Sequence, residues 1–195
     1  MTISQALAHK PEFKKQYFFE RRSLLPHTPH HFWQIESGII RTATWLEDGI
    51  MITIGLWGPG EIVGTSLTRI DPHHIECLSS VQALAIPLED SHQRTATLLA
   101  QMQQLEELTV IRAHRKVDLM LLKLLGWLAQ KFGRKSASGQ LIDLRLTHQD
   151  LADLLGATRV TITRTLNQLE QQGFIERLPL HRIILREEEI WHYQI

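Results

Sequence analysis

Between residues 18 and 90, apolar and polar positions come in short runs separated by turn residues, a spacing that predicts β-structure. The stretch HFWQIESGIIRTATWLEDGIMITIGLWGPGEIVG is broken at Ser-Gly, Asp-Gly and Gly-Pro-Gly. Asp48-Gly49, between RTATWLE and IMITIGL, signals a hairpin. VQALAIPL, 81–88, reads as a further strand. A compact antiparallel roll or barrel follows.

The pattern changes at Asp90. From there to Phe132 the chain has almost no punctuation and is rich in Leu, Gln, Glu, Lys, Arg and Ala, all good helix formers. Leu98, Met102, Leu105, Leu108 and Ile111 form a stripe at helical spacing. A small roll cannot cover both faces of so long a helix, so part of its apolar surface is expected to meet a second copy of the chain. Gly133 marks a stop and GRKSASGQ, 133–140, reads as a linker. LIDLRL is a strand candidate. THQDLADLLGA is a short helix, with Thr147 as N-cap and Asp150 at the capping-box position. TRVTITRTLNQLEQQG is a second helix, capped by Thr158 and ended by Gly173. FIERLPLHRIILRE holds two β-like runs around residues 178–181. Two short helices, a Gly-containing turn and a hairpin make a winged helix-turn-helix. The expected class is α+β: a β-roll over 1–97, a long dimerisation helix over 98–133 and a DNA-binding unit over 134–195.

Ile162, Leu166 and Leu169 follow i, i+4, i+7 spacing and form the buried face of the second helix. Leu151, Leu154 and Leu155 oppose them, while Ala152 and Gly156 suit a close approach and a turn. Val160, Thr163, Arg164 and Asn167 then point away from the core, and Arg159 sits in the first turn. An outward valine is odd on a solvated helix and reasonable in a DNA major groove. There an arginine bonds guanine O6 and N7 together, and an apolar group touches a thymine methyl. The candidate base contacts are Arg159, Val160, Thr163 and Arg164. Thr158 and Thr161, beside a positive helix N-terminus, suit phosphate oxygens. Thr147, Gln149 and, on the wing, His181 complete the phosphate set.

Lys+Arg and Asp+Glu balance at 21 each, so any electrostatic footprint is local. Between 156 and 186 the bases are Arg159, Arg164, Arg177, Arg182 and Arg186, against the acids Glu170 and Glu176. Glu187-Glu188-Glu189 lies beyond the wing. Apolar content of 43% excludes wholesale disorder. The single cysteine, Cys77, excludes an intrachain disulfide and fits a reducing cytoplasm. The N-terminus has no apolar core of signal-peptide length, and residues 49–60 are too short to span a bilayer. His27, His30 and His31, and the pair His73-His74, lack metal-ligand spacing and read as surface histidines. The five tryptophans read as core anchors. No nucleophile set or P-loop marks an enzyme.

The order of roll, helix and winged helix-turn-helix resembles the cyclic-AMP receptor protein/FNR family of bacterial transcription regulators over nearly the whole chain. The resemblance is most specific in LTHQDLADLLGATRVTITRTLNQLEQQGFIE. It is carried by Thr147, Gln149, Ala152, Gly156, Thr158, Arg159, Thr161, Arg164, Leu169, Gly173 and Ile175. TRVTITR is similar to the matching segment of the cyanobacterial global nitrogen regulator. In the roll, IESGIIRTATWLEDG and GLWGPGEIVG resemble the family's turns.

The resemblance implies a cyclic-nucleotide-binding-like jelly roll and a homodimer on double-stranded DNA, in contact with RNA polymerase. Its recognition helices would enter successive major grooves about 34–36 Å apart. Many relatives carry Glu where this chain has Val160, and Glu accepts from cytosine where valine prefers a thymine methyl. Half-sites of GTA rather than GTG type follow, as in GTA-N8-TAC. The family's cyclic-nucleotide cassette reads Gly-Glu and then Arg-Ser or Arg-Thr, where this chain has Gly64-Thr65 and Glu76-Cys77-Leu78-Ser79. A carboxylate there repels a cyclic phosphate, so cyclic AMP is not expected. A dicarboxylate such as 2-oxoglutarate stays open, with Gly64, Thr65, Arg69, Arg112 and Arg115 as candidate effector residues. Control without any effector is equally open. Two other readings remain: a cupin-like metal-binding roll fused to a winged helix, and an adaptor whose winged helix binds protein.

Overall fold

A computed structural model describes residues 15–186. The run Glu187-Glu188-Glu189 and Trp191 lie outside them. The chain begins as the expected roll of two antiparallel sheets. One is ordered β1 (Gln16–Phe19), β7 (Val81–Pro87), β2 (His31–Ser37), β5 (Ile62–Val63). The other is ordered β4 (Met51–Trp57), β3 (Ile40–Trp45), β6 (His74–Cys77). Their facing sides bury Trp33, Ile35, Ile40, Trp57, Ile75 and Cys77. Tyr17 and Phe19 meet Trp33 edge-on at 5.0 and 5.5 Å, a favourable quadrupole geometry. The Asp48-Gly49 hairpin forms: Trp45 pairs with Met51, Gly49 has φ +81°, and its N–H donates to Leu46 O at 2.9 Å. Trp45 departs from the core role expected of it. It sits at that hairpin tip, 44% exposed beside exposed Leu46 and Ile50.

The unbroken helix expected over 98–133 is instead two. A 3₁₀ segment, Leu88–Arg94, leads into α1 (Thr95–Arg112). The chain turns over residues 113–116, and α2 (Val117–Phe132) follows. Two apolar faces with different partners explain the break. Leu108 and Ile111 end α1 in the central core, and Leu105 packs on the roll core. In α2, Leu121, Leu124, Leu125 and Leu128 are buried with the helix-turn-helix leucines. One straight helix cannot present both faces. The stripe expected to meet a second copy therefore faces its own chain, Met102 apart. The exposed large apolar side chains of α1 are Leu99, Met102 and Val110.

The expected linker is also structured. β8 (Gly133–Ser136) and β9 (Gly139–Ile142) form a hairpin, paired from Gly133↔Ile142 to Ser136↔Gly139. β9 then pairs with β11 (Arg182–Leu185), and the sheet runs β10-β11-β9-β8, with β10 at Ile175–Leu178. Lys131 of α2 ties this unit to the roll, donating to Leu56 O at 2.8 Å and Glu61 at 2.9 Å.

Candidate nucleic-acid interface

The first helix of the pair, α3 (His148–Leu155), is started by a complete capping box. Thr147 Oγ1 accepts from Asp150 N–H at 3.1 Å, and Thr147 N–H donates to the Asp150 carboxylate at 2.8 Å. Gly156 ends the helix at φ +64°, where a side chain would add about 1 kcal/mol of strain. Thr158 caps α4 (Arg159–Gln171) by accepting from Thr161 N–H at 3.1 Å. Ile162, Thr165, Leu166 and Leu169 are buried, with Leu151, Leu154 and Leu155 in the same core. The opposite face is open. Val160 is 78% exposed, Arg159, Arg164 and Asn167 are exposed, and Thr163 is half-buried.

Ion pairing separates the five arginines of this region. Arg177 bonds Glu170 through Nε at 2.8 Å, Arg186 lies 3.5 Å from Glu176, and Arg182 lies 3.8 Å from Asp143. Arg159 and Arg164 have no acidic partner among the described residues, so both guanidiniums are available to a polyanion. The wing forms as expected, with Leu178 paired to Arg182. Its tip holds Leu180 and His181 at φ +64° and +59°, two consecutive non-glycine residues in the left-handed region. Such strain concentrates at functional loops.

The phosphate candidates divide in the same way. Thr158 and Thr161 hydroxyls lie 2.9 Å apart, so one donates to the other and one proton remains for a phosphate oxygen. Gln149 is exposed and uses one amide N–H on Asp153 at 2.7 Å. Thr147 differs from the expectation. Its hydroxyl donates to Asp150 at 2.7 Å, which leaves it a cap and no donor. His148, which motif reasoning passed over, lies between the two helices with Nδ1 2.8 Å from Thr163 Oγ1. Its ring is 6.2 Å from that of His181, centroid to centroid. That meeting joins α3, α4 and the wing, and no local sequence signal announces it.

Residues 93–190 match the Crp-like helix-turn-helix domain. The chain is 40% identical over 176 residues to the regulatory protein CysR of Synechococcus elongatus, covering 88% of this chain and 84% of that protein. The chain belongs to the Crp/Fnr family of transcription regulators. It is also 30% identical over 154 residues to the global nitrogen regulator of Synechococcus elongatus, covering 71% of this chain and 69% of that protein. Among solved structures it resembles FixK2 from Bradyrhizobium japonicum, with a TM-score of 0.76 at 16% identity over 92% of this chain and 96% of that one. A CRP-family regulator from Thermus thermophilus gives 0.75 at 19% identity, over 88% and 92%. The metalloenzyme reading of the roll is set aside with this assignment. Among the described residues no helix is long and apolar enough to cross a membrane.

In this Crp/Fnr regulator, the expected effector residues do not converge. A cavity of about 300 Å³ lies between the roll and α1, lined by Thr42, Trp57, Gly64, His73, Gln101 and Leu105 among others. Of the five candidates only Gly64 lines it. Thr65 begins a single 3₁₀ turn, exposed Arg69 stands off the cavity, and exposed Arg115 lies in the turn between α1 and α2. Arg112 is a correction. Its guanidinium donates to Leu154 O and to Thr53 O, both at 2.7 Å, and so straps the end of α3 to β4. Glu76, at the place of the cassette arginine, pairs with Arg41 and with Arg22 at 2.9 Å.

Proposed function

We propose that this chain is a dimeric, sequence-specific regulator that reads a palindrome of GTA-N8-TAC type through α4 without cyclic AMP. The observation that carries the reading is the face of Arg159, Val160 and Arg164: exposed, without acidic partners among the described residues, and set on a rigid capped helix. Arg164 supplies a bidentate donor for guanine, and Val160 an apolar contact for a thymine methyl. The phosphate donors left free at Thr158, Thr161 and Gln149 position the helix.

Exposed Leu99, Met102 and Val110 on α1 support a dimer through that helix, because an apolar stripe of this kind seeks cover. The apolar hairpin tip of Trp45, Leu46 and Ile50 is the surface offered to RNA polymerase in the cytoplasm. Among the described residues, no Arg, Lys, Asp or Glu lines the cavity beside α1, and burial holds His73 below its ordinary pKa and therefore neutral. That lining favours neither cyclic AMP nor 2-oxoglutarate, since both anions need a cationic partner once desolvated. Control through abundance fits it better.

Binding selection from random duplexes, with and without each of these two compounds, tests the reading. Enrichment of GTA-N8-TAC without either compound supports it. GTG half-sites, or enrichment only with one compound, would sink the corresponding part.

A further inference from the structure

The groove between α3, α4 and the wing is about 420 Å³ and is lined by His148, Glu170, Arg177, Leu180, His181 and Arg182 among others. Hydrogen positions there follow from counting donors. The Thr163 hydroxyl has one proton, and it donates that proton to Arg159 O at 2.9 Å. A carbonyl only accepts, so the proton is committed. With the hydroxyl proton on that carbonyl, we assign the 2.8 Å contact between Thr163 Oγ1 and His148 Nδ1 as a donation from the ring. In the neutral imidazole this leaves Nε2 bare, a lone pair without a hydrogen-bond partner among the described residues. A bare nitrogen cannot bond a phosphate oxygen. A protonated ring can, because both nitrogens then carry hydrogen.

We infer that His148 and His181 form a two-imidazole contact to the DNA backbone that takes up a proton when DNA binds. The inference rests on the reading of α4 as the DNA-binding helix. It adds His148 to the interface and makes affinity depend on pH.

The charges around the pair set the direction. Arg159 comes from α4, Arg177 from β10, and His181 and Arg182 from the wing. Glu170 of α4 lines the groove but is held by Arg177 at 2.8 Å. In free protein, burial, then Arg177, His181 and Arg159, push the His148 pKa down. The ring is therefore neutral at physiological pH. A phosphate brought to the groove opposes those cations and favours the protonated form. The bound state holds more protons than the free state, so affinity rises as pH falls. Each proton taken up changes the dissociation constant by up to about tenfold per pH unit.

The test measures binding of the full-length protein between pH 8 and pH 6 at constant ionic strength. Two duplexes of equal length are used, one a selected palindrome and one unrelated, because a phosphate contact is indifferent to sequence. Wild type is expected to bind both roughly tenfold or more tightly at pH 6 than at pH 8. His148→Gln together with His181→Gln should flatten that dependence on both duplexes, with unfolding curves checked at each pH. His148→Arg, charged at every pH, should bind at pH 8 nearly as tightly as wild type does at pH 6. Binding by wild type that does not change with pH, or a slope that survives the double substitution, overturns the inference and leaves the DNA reading intact. Absence of binding to either duplex at any pH overturns both.

Discussion

Arg41 Nη1 lies 3.2 Å from Asp150 Oδ1, and both side chains are about 95% buried. Arg41 belongs to β3 of the roll and Asp150 to the first turn of α3. Asp150 Oδ2 also accepts from Arg22 at 3.1 Å, Glu76 pairs with both arginines, and Asp153 lies 3.5 Å from Arg41. Two guanidiniums of the roll thus bind Glu76 of β6 on their own side and face Asp150 and Asp153 across the boundary to the reading head.

Removing Arg41 leaves Asp153 with no arginine, and leaves Asp150 and Glu76 with the half-exposed Arg22 alone. Arg41→Met is expected to cost about 3–5 kcal/mol, read from urea unfolding. Arg22→Met should cost less, because its side chain is 38% exposed and water takes over part of its role. Equal losses from the two would show that burial does not set the strength of these pairs.

The carboxylates should respond to pH in opposite senses. Burial pushes the Asp150 pKa up, but hydrogen bonds from Arg22 and Thr147 outweigh it and hold the group below the ordinary carboxylate range. Its stabilisation is complete above roughly pH 4 and is lost as pH falls through its lower folded-state value. Asp153 is the carboxylate in excess, and burial pushes it up. The folded state therefore favours its protonated form, and that contribution is lost as pH rises through the ordinary range to the raised value. At pH 7, Asp150→Asn should lower the unfolding temperature, and Asp153→Asn should leave it unchanged or raise it. Thermal unfolding of both variants at pH 7 and pH 4 checks the signs.

Val160 decides a base. Val160→Glu should move the selected half-site from GTA to GTG, since a carboxylate accepts from cytosine and repels nothing that Arg164 needs. Arg164→Ala should cost roughly 1–3 kcal/mol, concentrated at one base pair of each half-site. Gln149→Ala should weaken all sequences alike. Competition binding against single-base variants of the palindrome distinguishes these patterns.

Arg112 and Arg115, three residues apart, should behave differently. Arg112→Met strands Leu154 O and Thr53 O, for a loss of about 2–4 kcal/mol across the two bonds. Arg115→Ala changes an exposed side chain and should stay within about 0.5 kcal/mol. Chemical denaturation of the pair is sufficient to tell strap from surface.

A dimer through α1 should fail when its exposed stripe is charged. Leu99→Glu with Met102→Glu is expected to give a folded monomer in sedimentation, with weakened binding to the palindrome and less change on a half-site. A dimer that persists would place the interface elsewhere.

Much of this architecture is legible in the sequence, and the reason is locality. The strands of the roll, the Asp48-Gly49 hairpin, the caps Thr147 and Thr158 and the Gly156 turn depend on residues within a few positions of one another. The outward face of α4 follows from helical period alone, which is enough to single out Arg159, Val160 and Arg164. What tertiary structure decided depends on residues far apart in the chain. The break between α1 and α2 exists because two distant surfaces must each be covered. Residues 133–136 became a strand because β9, paired to β11, offers them an edge. Arg112 is a strap and not an anion site because Thr53 and Leu154 carbonyls lie within its reach. Arg41, an unremarkable strand residue in the sequence, is buried because α3 brings Asp150 to it. Period and capping are properties of neighbours, whereas burial of a charge is a property of whatever the fold brings beside it.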